Sequence, residues 1–225
     1  MKFGGLQKTS LVDFPDKVST VLFTVGCNLR CPYCHNWRLV TGSTKPGLTE
    51  DTVFKILESR RKQVDAVVVT GGEPTMQSDL PQFLDKLKAQ GFAVKLDTNG
   101  FFPEVLRRCL PYVDYVALDV KTSPLKYHLL RAGDLRDYVK TVNMLRCGDV
   151  DYEFRSTVVP CFVDEADVPK MGELIRGAKR LIFQQFVSGD TLSESFKDVK
   201  PYTPEIIAHF AEVMRSYVDE VILRV

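Results

Sequence analysis

The chain has 225 residues, of which 44% are hydrophobic and 26% charged, and 30 Lys and Arg nearly cancel 29 Asp and Glu to leave a formal net charge of +1. This is ordinary globular composition, which excludes a disordered chain and offers no basic footprint for nucleic acid. No charged segment followed by an apolar stretch opens the sequence, and no window reaches the roughly 18 apolar residues of a membrane helix, so a cytoplasmic protein with no membrane contact is expected, one domain over residues 1–225.

Short, mostly apolar runs predict strands at residues 21–25, 66–70, 93–97, 115–120, 153–159 and 181–186. Such runs suit a parallel sheet covered on both faces. Between them lie amphipathic stretches that predict helices. Thr49-Glu50-Asp51 announces one over residues 53–61, and Ser78-Asp79 another over 83–88. Four more are expected near residues 103–109, 135–146, 168–178 and 204–217. Strand and helix alternating six times predicts an α/β fold, a mostly parallel sheet curved into a partial (β/α)6 barrel, with its site at the C-terminal ends of the strands.

The first strand runs into Gly26-Cys27-Asn28-Leu29-Arg30-Cys31-Pro32-Tyr33-Cys34-His35-Asn36, so three of the six cysteines share one loop, residues 26–37. Six cysteines are too few for a secreted disulfide scaffold, and their crowding points to metal. A four-iron four-sulfur cluster normally takes four thiolates, so a loop giving three leaves one iron open. The alternative is zinc, with His35 or a distant cysteine as fourth ligand, in a non-catalytic interaction module.

Further polar residues stand at the strand ends. After the second strand, Thr70-Gly71-Gly72-Glu73-Pro74 combines glycines that allow close backbone approach with a carboxylate that can bind an ammonium, although a plain turn reads the same way. The third strand ends in Leu96-Asp97-Thr98-Asn99-Gly100 and the fourth in Leu118-Asp119-Val120-Lys121, where helix capping and a solvated lysine are the simpler readings. Arg155 lies in a strand expected to be buried and therefore wants an anion: a cofactor group, or an internal partner such as Glu153 or another acid.

The cysteine loop resembles that of the radical S-adenosylmethionine superfamily. The resemblance implies a four-iron four-sulfur cluster on Cys27, Cys31 and Cys34, with S-adenosylmethionine on the open iron and Tyr33 packed nearby. It implies that Gly71, Gly72 and Glu73 receive the cofactor's amino group. The set Cys-His-Asn, Asp-Thr-Asn-Gly and Asp-x-Lys looks like that of glycyl radical enzyme activating enzymes. In that subgroup the residues matching Asn36, Asp119 and Lys121 contact the cofactor, and those matching Asp97, Thr98 and Asp119 hold a monovalent cation. Arg155 is the remaining candidate cofactor contact. Gln184 and Gln185 stand where related activases carry histidine.

From Gly5 to Pro15 onward the chain is similar to anaerobic ribonucleoside-triphosphate reductase activating proteins of the longer type. The implied enzyme is an oxidoreductase that takes an electron from a donor such as flavodoxin or ferredoxin and a hydrogen from a glycine of a partner enzyme. A radical enzyme acting on a small metabolite is the alternative. No cysteine-rich insertion lies between Asn36 and Thr49, and Cys109, Cys147 and Cys161 read as small buried residues.

Overall fold

The computed structural model describes residues 1–44 and 47–225. All six expected strands form: β2 (Ser19–Thr24), β3 (Ala66–Gly71), β4 (Ala93–Thr98), β5 (Tyr115–Asp119), β6 (Asp151–Val158) and β7 (Ala178–Gln185). Two more join them, β1 (Phe3–Ser10) and β8 (Val218–Arg224), at the two ends of one eight-stranded sheet ordered β1 to β8. β1 pairs antiparallel with β2, whereas β2 with β3, β3 with β4, β6 with β7 and β7 with β8 are parallel. The fold is the expected mostly parallel α/β sheet.

Contacts divide the chain into two compact units. The first comprises Met1–Asn28, Asn36–Thr98 and Phe102–Val116, and the second Leu29–His35, Asn99–Phe101 and Ala117–Val225. In the first unit Ala66, Val67, Val68 and Val69 of β3 are all inaccessible to solvent, so this strand is covered on both faces. Phe14, Val21, Ala66, Val68 and Tyr115 form one apolar cluster there. The helices are a short α1 (Trp37–Val40), then α2 (Glu50–Ser59), α3 (Leu80–Ala89) and α4 (Pro103–Cys109). Thr49 caps α2 as its sequence announced, accepting from the Thr52 amide at 3.2 Å. Asp79 stands before α3 without capping it.

The second unit carries α5 (Leu135–Cys147), α6 (Val168–Ile175) and α7 (Pro204–Met214). α7 buries Ile207, Phe210, Ala211 and Met214, the spacing of one helix face. α6 stops at Ile175, short of the expected residue 178, because Gly177 takes a positive φ of 79° and β7 begins at the next residue. Among the described residues no helix is long and apolar enough to cross a membrane.

Candidate functional site

In the first unit the ends of β2 and β3 meet through glycine. The Gly72 amide donates to the Thr24 carbonyl at 2.9 Å, and the Glu73 amide donates to the Gly26 carbonyl at 2.7 Å. A Cβ on Gly72 would lie 1.9 Å from the Gly26 oxygen, so only glycine lets the strand end approach the residue preceding Cys27. Gly71 takes a φ of 114°. Cys27 is half-buried, with its Sγ 4.0 Å from Asn28 Oδ1. Asn36 opens α1 through its carbonyl, which accepts from the Leu39 amide at 2.9 Å, and not through its side chain.

Glu73 is buried at 1% exposure. Its Oε1 accepts from the Thr75 amide at 3.0 Å, from the Thr75 hydroxyl and from the Thr98 hydroxyl at 2.7 Å. This fixes the carboxylate at the strand end, where it can receive an ammonium group. Asp97 is not a helix cap either. It forms an ion pair with Lys95 at 3.0 Å, both side chains nearly inaccessible. Sequence reasoning missed Thr75 and Lys95. The signal for Lys95 was present: it interrupts an apolar strand two residues before Asp97, hence on the same face.

In the second unit Cys31 is buried and Cys34 half-buried, and the Cys34 amide donates to the Cys31 carbonyl at 3.1 Å. Burial pushes the Cys31 thiol up to about 11, against the pull of Lys121. Tyr33 packs edge-on to Phe162 at 5.2 Å between ring centres and lies 6.1 Å from Phe196. The chain after β7 covers this loop. Leu192 and Ser193 donate their amides to the Cys34 and Pro32 carbonyls at 3.1 and 2.8 Å. Nothing local in the sequence tied residues 192–196 to the cysteines.

Asp119 sits between two cations, with Lys121 Nζ 2.7 Å from Oδ2 and Arg155 Nε 2.9 Å from Oδ1. Burial works to raise its pKa, but Arg155 and Lys121 outweigh it and hold the carboxyl down to about 2. Lys121 is therefore not simply solvated, and Arg155 has chosen an acid other than Glu153, which meets Arg224 at 3.9 Å. The Tyr138 hydroxyl donates to the Asp119 carbonyl at 3.1 Å, and Tyr127 accepts from the Lys121 amide at 3.2 Å. Gln185 donates to the Tyr202 carbonyl at 3.1 Å, a structural use of that position.

The other cysteines differ from expectation in two cases of three. Cys109 is buried, and burial pushes its thiol up to about 12, as for an inert core residue. Cys147 and Cys161 are exposed, which corrects their reading as buried. Cys147 ends α5 outside its buried face, and Cys161 sits in a turn with a φ of 74°.

Among the described residues no three His, Cys, Asp or Glu side chains are gathered closely enough for a single metal ion. In an iron-sulfur cluster each thiolate takes a different iron, and three thiols on one loop suit that donor set. The sequence pattern of the Radical SAM superfamily matches residues 21–175. A Methanocaldococcus jannaschii protein provisionally named a glycyl-radical enzyme activating enzyme is 32% identical over 98% of this chain and 94% of its own length. The pyruvate formate-lyase-activating enzyme of Listeria monocytogenes is 30% identical over 76% of this chain and 74% of its own. The solved structure of SuiB from Streptococcus suis bound to S-adenosylmethionine matches with a TM-score of 0.65 at 15% identity, over 90% of this chain and 49% of that one, a likeness of fold. Iron-sulfur chemistry thus replaces the zinc alternative, and the chain belongs to the radical SAM superfamily, with the glycyl-radical enzyme activating enzymes, whose cofactors are a four-iron four-sulfur cluster and S-adenosylmethionine.

Proposed function

We propose that this enzyme activates an anaerobic ribonucleoside-triphosphate reductase, with flavodoxin or ferredoxin as its electron donor. Cys27, Cys31 and Cys34 would hold the cluster. When bound, cluster and cofactor supply a 5′-deoxyadenosyl radical, at the cost of one electron and with release of methionine, and this radical takes the α hydrogen of a partner glycine to give 5′-deoxyadenosine and a glycyl radical. Glu73, presented by Gly71 and Gly72, would receive the cofactor's amino group. Lys121 would neutralise its carboxylate, with Asp119 holding the ammonium, Arg155 bracing Asp119 from its other oxygen, and Asn36 as a further contact. The observation that supports the cofactor part of this reading is the second unit's Lys121–Asp119–Arg155 set, since a cation at a strand end, braced by an acid and a second cation, suits a free carboxylate; the choice of partner rests on the likeness from Gly5 to Pro15 onward.

Glu73→Gln and Lys121→Met test these roles. Each removes one charge-assisted contact, which should cost about 1.5–3 kcal/mol, or about ten- to a hundredfold in S-adenosylmethionine affinity by calorimetry. Iron content should not change. Unaltered affinity in both variants would reject the assignment.

The partner is tested by mixing the reduced enzyme, S-adenosylmethionine and the anaerobic reductase encoded in the same genome. The expected result is a glycyl doublet in the EPR spectrum that loses its main splitting when the reductase carries α-deuterated glycine. Hydrogen transfer needs near contact, so the partner's glycine loop must leave its own core and reach the site. Cofactor consumption without a doublet, together with hydrogen exchange between deoxyadenosine and a small metabolite, would replace the partner enzyme by that metabolite.

A further inference from the structure

β4 carries two opposite charges on one face. Lys95 and Asp97 lie two residues apart on a strand whose residues from Val94 to Thr98 are all buried. Lys95 is 2% exposed, and its Nζ lies 3.0 Å from Asp97 Oδ1 and 5.9 Å from the centre of the Tyr115 ring. A buried carboxylate needs a compensating charge, and a buried ammonium is costly without one. Here the compensation is covalently tethered, so no ion has to be captured from solution.

The resemblance to activating enzymes implies that Asp97, Thr98 and Asp119 serve as oxygen donors to a monovalent cation. The chain's own side chains engage each of them. Asp97 faces the Lys95 ammonium, Thr98 donates its hydroxyl to Glu73 at 2.7 Å, and Asp119 is paired with Lys121 and Arg155. A second cation at Asp97 would face Lys95 across one carboxylate, a like-charge contact in a poorly solvated place.

We propose that Lys95 is a built-in counter-ion for Asp97, so that folding and cofactor binding in this chain are independent of sodium and potassium. The cofactor arm of this proposal rests on the reading of Asp97 as part of the S-adenosylmethionine site, whereas the folding arm does not.

The test uses the anoxically reconstituted enzyme in potassium, sodium or choline chloride at equal ionic strength. Unfolding midpoint and S-adenosylmethionine affinity are both measured. An ion bound with a millimolar constant would raise the midpoint by about 5–10 °C at 0.1 M for a chain of this size. The expected result is instead a midpoint constant within about 1 °C, well below that linkage shift, and an unchanged affinity. Lys95→Met removes the ammonium that lies 3.0 Å from the buried Asp97 carboxylate, so the midpoint in choline should fall by on the order of 10 °C and recover in part in potassium or sodium. Lys95→Met combined with Asp97→Asn should regain stability and lose the dependence on cations.

A wild-type midpoint or affinity that rises with potassium but not with choline would overturn the proposal. So would a Lys95→Met variant as stable as wild type in choline. If that variant does not fold, the wild-type series and the double variant decide. Failure of the glycyl doublet with cation independence intact would count against the proposed partner and leave Lys95 in its role.

Discussion

Replacing Cys31 with alanine is expected to abolish the EPR signal of the reduced cluster and to strip most of the iron from anoxically reconstituted enzyme, which in the wild type should hold about four irons per chain. Cys31 is the buried member of the loop, and burial holds its free thiol up to about 11, so at neutral pH the cluster-free side chain is protonated. Iron must displace that proton, and once formed the thiolate is shielded from water and faces Lys121, which favours the anion. Alanine removes the ligand. Cys27→Ala and Cys34→Ala should fail in the same way. Cys109→Ala and Cys147→Ala, one buried and one exposed, should keep wild-type iron, sulfide and spectrum. A normal cluster in the Cys31→Ala protein would falsify the ligand assignment.

What the sequence made legible follows from what local chemistry can encode. Strands covered on both faces reveal themselves as β-branched runs, and the Ala-Val-Val-Val run of β3 is the plainest. β1 and β8 escaped notice for the opposite reason. Each lies at an end of the sheet. Phe3-Gly-Gly-Leu-Gln-Lys-Thr-Ser has two glycines and three exposed residues in succession, and β8 begins Val-Asp-Glu with four of its seven residues exposed. Edge strands need no long apolar run: β1 has none, and that of β8 is limited to Val221-Ile222-Leu223.

The site divides along similar lines. Cysteine spacing and the glycine and acidic residues at strand ends were visible because each is a local pattern tied to a definite chemistry. Pairings were not. That Arg155 faces Asp119 rather than Glu153, or that Thr98 serves Glu73, depends on which residues the sheet brings together. Phe162 and Phe196, which pack on Tyr33, are more than a hundred residues away along the chain and look like ordinary core aromatics in the sequence. The reading of Cys147 as buried failed at one particular step: position on a helix, not residue type, decides whether a small apolar side chain is covered.

Gly72→Ala should be the most damaging single substitution outside the cysteines. The added methyl would meet the Gly26 carbonyl oxygen at 1.9 Å, and the obstacle is backbone, which cannot swing aside as a side chain would. Gly26 is itself constrained. It takes a φ of 95°, its amide donates to Leu39 at 2.9 Å, and its oxygen is the acceptor for Glu73 at 2.7 Å. Relieving the clash therefore breaks hydrogen bonds on both sides of the contact. Two lost backbone bonds and the accompanying strain amount to about 2–5 kcal/mol, or about 10 °C in unfolding midpoint for a chain of this length. The functional loss should be larger than the stability loss, because the displaced atoms belong to the residue before Cys27 and to Glu73 at once. S-adenosylmethionine affinity should fall at least tenfold even in the fraction that folds, about the effect of losing one charge-assisted contact. Gly5→Ala is the control, since a Cβ there meets nothing within 4 Å. Its midpoint should stay within about 2 °C of wild type, the range of a surface substitution. An unchanged midpoint and affinity in Gly72→Ala would mean that the end of β3 can move away from Gly26 at little cost, and that Glu73 is not placed by this contact.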